Sequence, residues 1–130
     1  MTSLVIVSHS EKIAEGTKEL LGQMSPKELL GQMSPNVDVI AVGGADGEIG
    51  TSFDEISEVL NQLENDALCF FDIGSAEMNL DMAIEMYTGQ HRIEKVTAPL
   101  VEGSFLASVS LSTNGDFDQA IEAVREEFDK

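Results

Sequence analysis

The alternation of strand-like and helix-like segments predicts a doubly wound α/β domain. Its mainly parallel sheet would have four to five strands, with helices on both faces. Two observations carry this expectation. Short runs of apolar, often β-branched residues recur along the chain, each of a length suited to a buried strand. Between them lie stretches whose apolar residues recur at helical spacing, several opened by a residue suited to an N-cap.

Leu4–Val7 is the first expected strand, and the helix after it carries Ile13, Thr17, Leu20, Leu21 and Met24 on one face. Val37–Val42 is the second strand. Phe53, Ile56, Val59, Leu60 and Leu63 line the next helix, where Thr51 with Asp54 and Ser52 with Glu55 offer overlapping capping boxes. Ala67–Phe71 follows as the third strand, then a helix with Ala76, Leu80, Ala83, Ile84 and Tyr87 on one face and Ser75 as N-cap. Ile93–Thr97 is a weaker fourth strand. The last helix, with Asp116 as N-cap, lines up Phe117, Ala120, Ile121, Val124 and Phe128.

Two helices carry more apolar surface than one core requires. Met78, Met82 and Met86 form a second stripe on the third helix, and PLVEGSFLASVSLS is apolar or small nearly all round. A helix without a polar face is buried on more than one side, and a homodimer would supply the second side.

The 130 residues suit a single domain, 1–130, and the 42% hydrophobic content is close to the globular average. No apolar run approaches a membrane span, and the start MTSLVIVSHS lacks the basic region of a signal peptide. Cys69, inside ALCFF, reads as a small buried hydrophobe. A lone cysteine forms no internal disulfide, which fits a cytoplasmic location. Seven Lys and Arg against 24 Asp and Glu give a net charge of −17. Such a surface repels phosphate backbones and anionic lipid, setting aside nucleic acid and membranes, and favours a partner with a basic patch. Solubility alone would account for the charge equally well.

KELLGQMSP occurs twice without change, at 18–26 and 27–35. Nine residues turn an α-helix through about 900°, so the second copy would face away from the first. Pro26 disfavours helix at Ser25, while Ser25, Pro26 and Glu28 suit a fresh helix start. Two short helices with a break at Ser25–Pro26 are expected. The repeat reads as an insertion that the connection absorbs, too short for a repeat architecture.

Ligands of open α/β sheets bind at the carboxyl ends of the strands, so the residues after each strand outline the site. The first strand is followed by Ser8, His9 and Ser10, the second by GGADGEIGTS, and the third by DIGSAEMN with Asp72 and Ser75. The fourth leads into APLVEG with Pro99 and Glu102. A neutral imidazole is a competent nucleophile toward phosphorus, and glycine turns at helix N-termini bind phosphate through N–H groups. If Asp72 accepts Nδ1–H, the tautomer is fixed and Nε2 becomes the nucleophile. These loops hold no Lys or Arg. A phosphoryl group held only by hydroxyls and amides would be passed on readily, as in a relay. Simpler readings stand beside this one: His9 as loop polarity, Asp72 as a helix N-cap, and a glycine loop that lacks the P-loop pattern. His91 precedes a strand and belongs to the opposite end, with a surface role. No second His or Cys accompanies His9, so a metal site is a poor fit.

LVIVSHSEKIAEG, GGADGEIGTSFDEI, FDIGSAEMNLDMAIE and APLVEGSFLA, in that order, resemble the phosphotransfer subunits of dihydroxyacetone kinases driven by the phosphoenolpyruvate-dependent phosphotransferase system (PTS), the DhaM family. The resemblance spans the chain apart from the nine duplicated residues. It implies an EIIA domain related to that of the mannose transporter, doubly wound and dimeric. It further implies that His9 receives phosphate from the carrier HPr and passes it to ADP bound in DhaL. Carried over by motif, Gly43, Gly44, Gly50, Thr51 and Ser52 lie on the phosphate side with Ser10 and Ser75. No cofactor would be bound by this chain, since ADP, ATP and Mg reside on DhaL. A chain ending at Lys130 resembles the single-domain form, which takes phosphate from a separate carrier. The alternatives are a mannose-class sugar-transporter EIIA donating to an EIIB, and a non-catalytic regulatory binding module.

Overall fold

The computed structural model describes residues 2–24 and 37–128. Among them, strands and helices alternate: β1 (Thr2–Ser8), α1 (Glu11–Met24), β2 (Val37–Gly43), α2 (Phe53–Asn61) and β3 (Asp66–Phe71). Then come α3 (Gly74–Met86), β4 (Ile93–Lys95), α4 (Leu100–Asn114) and α5 (Phe117–Phe128). The four strands form one parallel sheet in the order β2-β1-β3-β4, with the five helices divided between its faces, the doubly wound α/β arrangement.

Every residue of β1 is buried, because helices cover the central strand on both faces. The period-two alternation of a strand then divides its side chains between two cores. Leu4, Ile6, Leu68 and Phe70 join Leu21 of α1, Ala107 and Leu111 of α4, and Ala120, Ile121 and Val124 of α5. Val5, Val7, Ala67 and Cys69 join Ile56 and Leu60 of α2 and Ala76, Leu80 and Ala83 of α3. Burial pushes the Cys69 thiol up to about 12, which keeps it protonated and unreactive at neutral pH.

Because β2 lies on one side of β1 and β3 on the other, the chain leaves β1 toward one face and β3 toward the opposite one. The crevice between those departures is the switch point at which open α/β sheets bind ligands.

Some local expectations hold and others change. The fourth strand is only Ile93–Lys95, although Val96 N–H still donates to Cys69 O at 2.8 Å. Ser52 caps α2 by accepting from Glu55 N–H at 3.2 Å, and Asp116 accepts from Gln119 N–H at 3.0 Å at the start of α5. Ser75 is not an N-cap. It sits within the first turn of α3, whose N-cap is Ile73 without a side-chain bond.

The buried line of α1 is narrower than its apolar spacing implies. Ala14, Thr17 and Leu21 are buried, while Ile13 and Leu20 remain 49% and 42% exposed. The helix is pressed onto Gly43, so only a narrow row of side chains reaches the sheet. The second side of α4 is covered within the chain by α5, with Phe105, Leu106, Phe117 and Phe128 packed around the shared core. Met78, Met82 and Met86 stay exposed on α3. The break at Ser25–Pro26 and the second repeat copy lie outside the described residues. No helix among the described residues is long and apolar enough to cross a membrane.

A Cβ at Gly43 would stand 2.6 Å from Ser10 O and 2.9 Å from both Ala14 Cβ and Glu11 Cα, and the backbone atoms there have nowhere to go. Gly43→Ala is therefore expected to lower stability by about 1–3 kcal/mol. Gly16→Ala, at an open position inside α1, should raise it by about 0.5–1 kcal/mol. Urea unfolding of both variants beside wild type measures the pair, and an unchanged Gly43→Ala would refute the close approach of α1 to β2.

Candidate active site

Val7 of β1 pairs with Phe71 of β3, so the residues leaving the two strands emerge side by side. Asp72 gathers these residues around its carboxylate. Its Oδ2 accepts from the Ser8 hydroxyl at 2.7 Å and from His9 N–H at 3.0 Å. Its Oδ1 accepts from Ile73 N–H at 2.7 Å and lies 2.9 Å from His9 Nδ1. Burial raises the carboxyl pKa, but the hydrogen bonds from the His9 ring, the Ser8 hydroxyl and the two backbone N–H groups outweigh it. They hold Asp72 below the usual 3.8.

An ionised carboxylate only accepts, so Nδ1 of His9 carries the proton and Nε2 a lone pair. The Ser75 hydroxyl donates to that Nε2. Asp72, His9 and Ser75 thus form one line, and the tautomer required for an Nε2 nucleophile is in place. His9 and Asp72 side chains are each 17% exposed, shielded from bulk water yet open at the ring edge. The N-terminus of α3 adds the positive end of its dipole beside the ring.

The glycine-rich loop reaches the same place, but most of its expected phosphate donors are already engaged. Gly44 N–H donates to Ser8 O at 3.2 Å and Gly50 N–H to His9 O at 2.7 Å, so neither faces a phosphate. These positions have φ of +75° and +142°, which explains why glycine stands there. Gly43 serves the approach of α1. The Ser10 hydroxyl accepts from Ile13 N–H at 3.3 Å and that of Ser52 caps α2. These residues build the walls of the site. The Thr51 hydroxyl belongs to it more directly, directed to Ser75 O at 3.5 Å.

Asn79 is a site residue that the strand-end reasoning misses. Its Nδ2 donates to Thr51 Oγ1 at 2.7 Å and approaches Thr51 O at 3.4 Å. The one sequence signal for it is its place four residues after Ser75, on the same face of a helix. Glu102 stands exposed in the first turn of α4, and His91 lies at the other end of the sheet, 3.7 Å from Asp66. A cavity of about 350 Å³ beside the glycine loop is lined by Glu11, Glu15, Asp46, Glu55 and Glu58, whose carboxylates would repel a phosphoryl group.

The family model and the relatives identify this fold, with its histidine and aspartate at the switch point, as a phosphotransferase-system IIA component. The chain belongs to the EIIA-man family, whose model, described as "PTS system fructose IIA component", matches residues 3–121. Within it, the chain falls among the DhaM phosphotransfer subunits. It is 40% identical to the phosphotransferase subunit DhaM of the PTS-dependent dihydroxyacetone kinase of Lactococcus lactis, over 98% of this chain and 93% of that protein. It is 32% identical to the phosphoryl donor subunit DhaM of dihydroxyacetone kinase 1 of Listeria innocua, over 83% of this chain and 80% of that one. The Escherichia coli DhaM is 32% identical over 93% of this chain, which spans only 26% of it. The crystal structure of EF1359, a protein of unknown function, superposes with a TM-score of 0.83 at 28% identity, over 96% of this chain and 93% of that one.

Because the folded-state pKa of Asp72 is lowered, its carboxylate contributes stability that is fully present above the ordinary value of 3.8 and is lost as pH falls through the folded pKa. Asp72→Asn should be less stable than wild type at neutral pH and should lose less on acidification to about pH 3. Urea unfolding across that range checks both, and a variant with wild-type acid sensitivity would sink the assignment of the carboxylate as an ionised hub.

Proposed function

We propose that this chain is the phosphohistidine carrier of a PTS-dependent dihydroxyacetone kinase, accepting phosphate from HPr on His9 and passing it to ADP held by DhaL. The observation that carries the reading is the Asp72–His9–Ser75 line, which leaves Nε2 unprotonated at the mouth of the site, its lone pair held by the Ser75 hydroxyl alone. In the forward step the Nε2 lone pair attacks the phosphorus of the donor's phosphohistidine. The donor's N–P bond breaks and its imidazole departs. The His9 ring becomes cationic with Nδ1–H retained, and the Asp72 carboxylate offsets that charge. Ser75 gives up its bond to Nε2 and can donate to a phosphoryl oxygen. In the onward step an ADP phosphate oxygen attacks, the Nε2–P bond breaks, and the lone pair returns to Nε2.

The loops around His9 hold no Lys or Arg, so no fixed cation traps the phosphoryl group, as a carrier requires. No cofactor on this chain is needed, since nucleotide and Mg stay with DhaL. The net charge of −17 favours docking to a basic face of HPr. The exposed Met78, Met82 and Met86 offer apolar surface for a homodimer, and the carrier would work in the cytoplasm. A second reading is favoured by the family model's description, a fructose IIA component, which points to a sugar-transporter EIIB as acceptor.

Incubation with phosphoenolpyruvate, enzyme I and HPr should add one acid-labile phosphate by mass, at a rate that falls as salt rises. His9→Gln should keep the circular-dichroism spectrum and take no label; label persisting in that variant would falsify the reading. Offering the charged protein DhaL–ADP and an EIIB in parallel separates the two acceptors, with rapid discharge expected to DhaL–ADP.

A further inference from the structure

We propose that Asn79 is a positioning residue for phosphoryl transfer, holding the end of the glycine loop against α3 and beside His9 through Thr51. The inference rests on the reading of His9 as the phosphate acceptor. Asn79 is half-buried on α3, one turn beyond Ser75. Its amide lies 2.7 Å from Thr51 Oγ1 and 3.4 Å from Thr51 O. A backbone carbonyl only accepts, so the NH2 side of the amide must face the loop. The Thr51 hydroxyl, accepting from Asn79, turns its own proton toward Ser75 O at 3.5 Å. On the other flank, Gly50 N–H donates to His9 O at 2.7 Å. The segment Gly50–Thr51 is thereby clamped between the backbone of the acceptor histidine and the helix that carries Ser75.

The rest of the loop has few ties. Asp46, Gly47 and Glu48 are exposed, and Ala45 and Glu48 bond each other at 2.8 and 3.0 Å rather than the body of the domain. Left-handed backbone at Gly44, Asp46 and Gly47 makes such a loop costly in entropy to order, so a small number of bonds decides where it rests. Releasing Asn79 leaves Thr51 tied to α3 only by the long 3.5 Å bond to Ser75 O, and so loosens the wall against which a phosphoryl group must be aligned with Nε2. Alignment of that kind is worth orders of magnitude in rate when lost.

Phosphoramidate tests this without a docking partner. The Nε2 lone pair attacks its phosphorus, the P–N bond breaks, and ammonia leaves with a proton from water while Nδ1–H remains on the ring. Asn79→Ala should lower the maximal rate of His9 phosphorylation about tenfold, leaving the half-saturating donor concentration and Tm unchanged. Asn79→Asp keeps the size but sets an oxygen against Thr51 O, and should lose at least as much. If Asn79 acts through Thr51, adding Asn79→Ala to Thr51→Val should cost less than Asn79→Ala costs alone, because only the 3.4 Å approach to Thr51 O survives the first substitution. Wild-type rates in both Asn79 variants, additive losses in the double variant, or a lowered Tm with an unchanged rate per folded molecule would each overturn the proposal. A wild-type protein charged neither by phosphoramidate nor by HPr would instead remove the carrier reading, and the inference with it.

Discussion

The carboxylate of Asp72 holds the working end of the sheet together. It accepts from a hydroxyl and an N–H on the segment leaving β1, from an N–H on its own loop, and from the imidazole of His9. An amide in its place has one accepting oxygen and a donating NH2, which would face groups that also donate. Only an ionised acid satisfies four donors at once, and those donors in turn keep it ionised. The same bonds fix the distance between the ends of β1 and β3, set the ring tautomer, and leave a negative charge that would offset a cationic ring in the proposed phosphorylation. Structure and chemistry at this point are one set of interactions.

That much is legible in the sequence because it depends on strand ends. β1 and β3 are apolar without interruption through their centres, since both faces are covered, and the residues after a parallel strand must emerge at its carboxyl end. This rule puts His9 and Asp72 at one end of the sheet, and the adjacency of β1 and β3 brings them into contact. The finer roles are not legible because they depend on backbone bonds that leave no side-chain pattern. Nothing in GGADGEIGTS indicates that Gly44 and Gly50 donate to the carbonyls of Ser8 and His9. Ser75 misleads for another reason. A serine at the start of a helix suits an N-cap as well as a first-turn position, and only the tertiary contact with His9 decides between them. Ile13 and Leu20 fit a helical stripe on spacing but lie outside the narrow row that α1 can press onto the sheet.

The glycine loop therefore acts by shape more than by donation. Gly43 admits α1 against β2, Gly44 turns the chain back over Ser8, and Gly50 returns it to His9. For a carrier this is a consistent division of labour. Donors fixed tightly on the phosphoryl group would stabilise the charged state and slow its discharge, whereas hydroxyls beside a helix N-terminus would align the group while holding it weakly.

Precision then has to come from the helix, and α3 is constrained on three sides. Ala76, Leu80 and Ala83 lock it into the core shared with β1 and β3. On a second side Glu77 and Asp81 reach Lys95 of β4 at 2.7 and 2.9 Å, and the hydrogen bond to Glu77, opposed by burial and reinforced by Asp81, raises the lysine pKa. On the third, Ser75 and Asn79 meet His9 and Thr51. A helix that is only packed can slide along its groove, and one that is only hydrogen-bonded can tilt. With an apolar core, an ion pair to the edge strand and the site itself on separate flanks, α3 has little freedom to do either. The serine on His9 Nε2 is thus held by rigid elements, which would suit a site that realigns a phosphoryl group at every turnover if His9 is the acceptor proposed above.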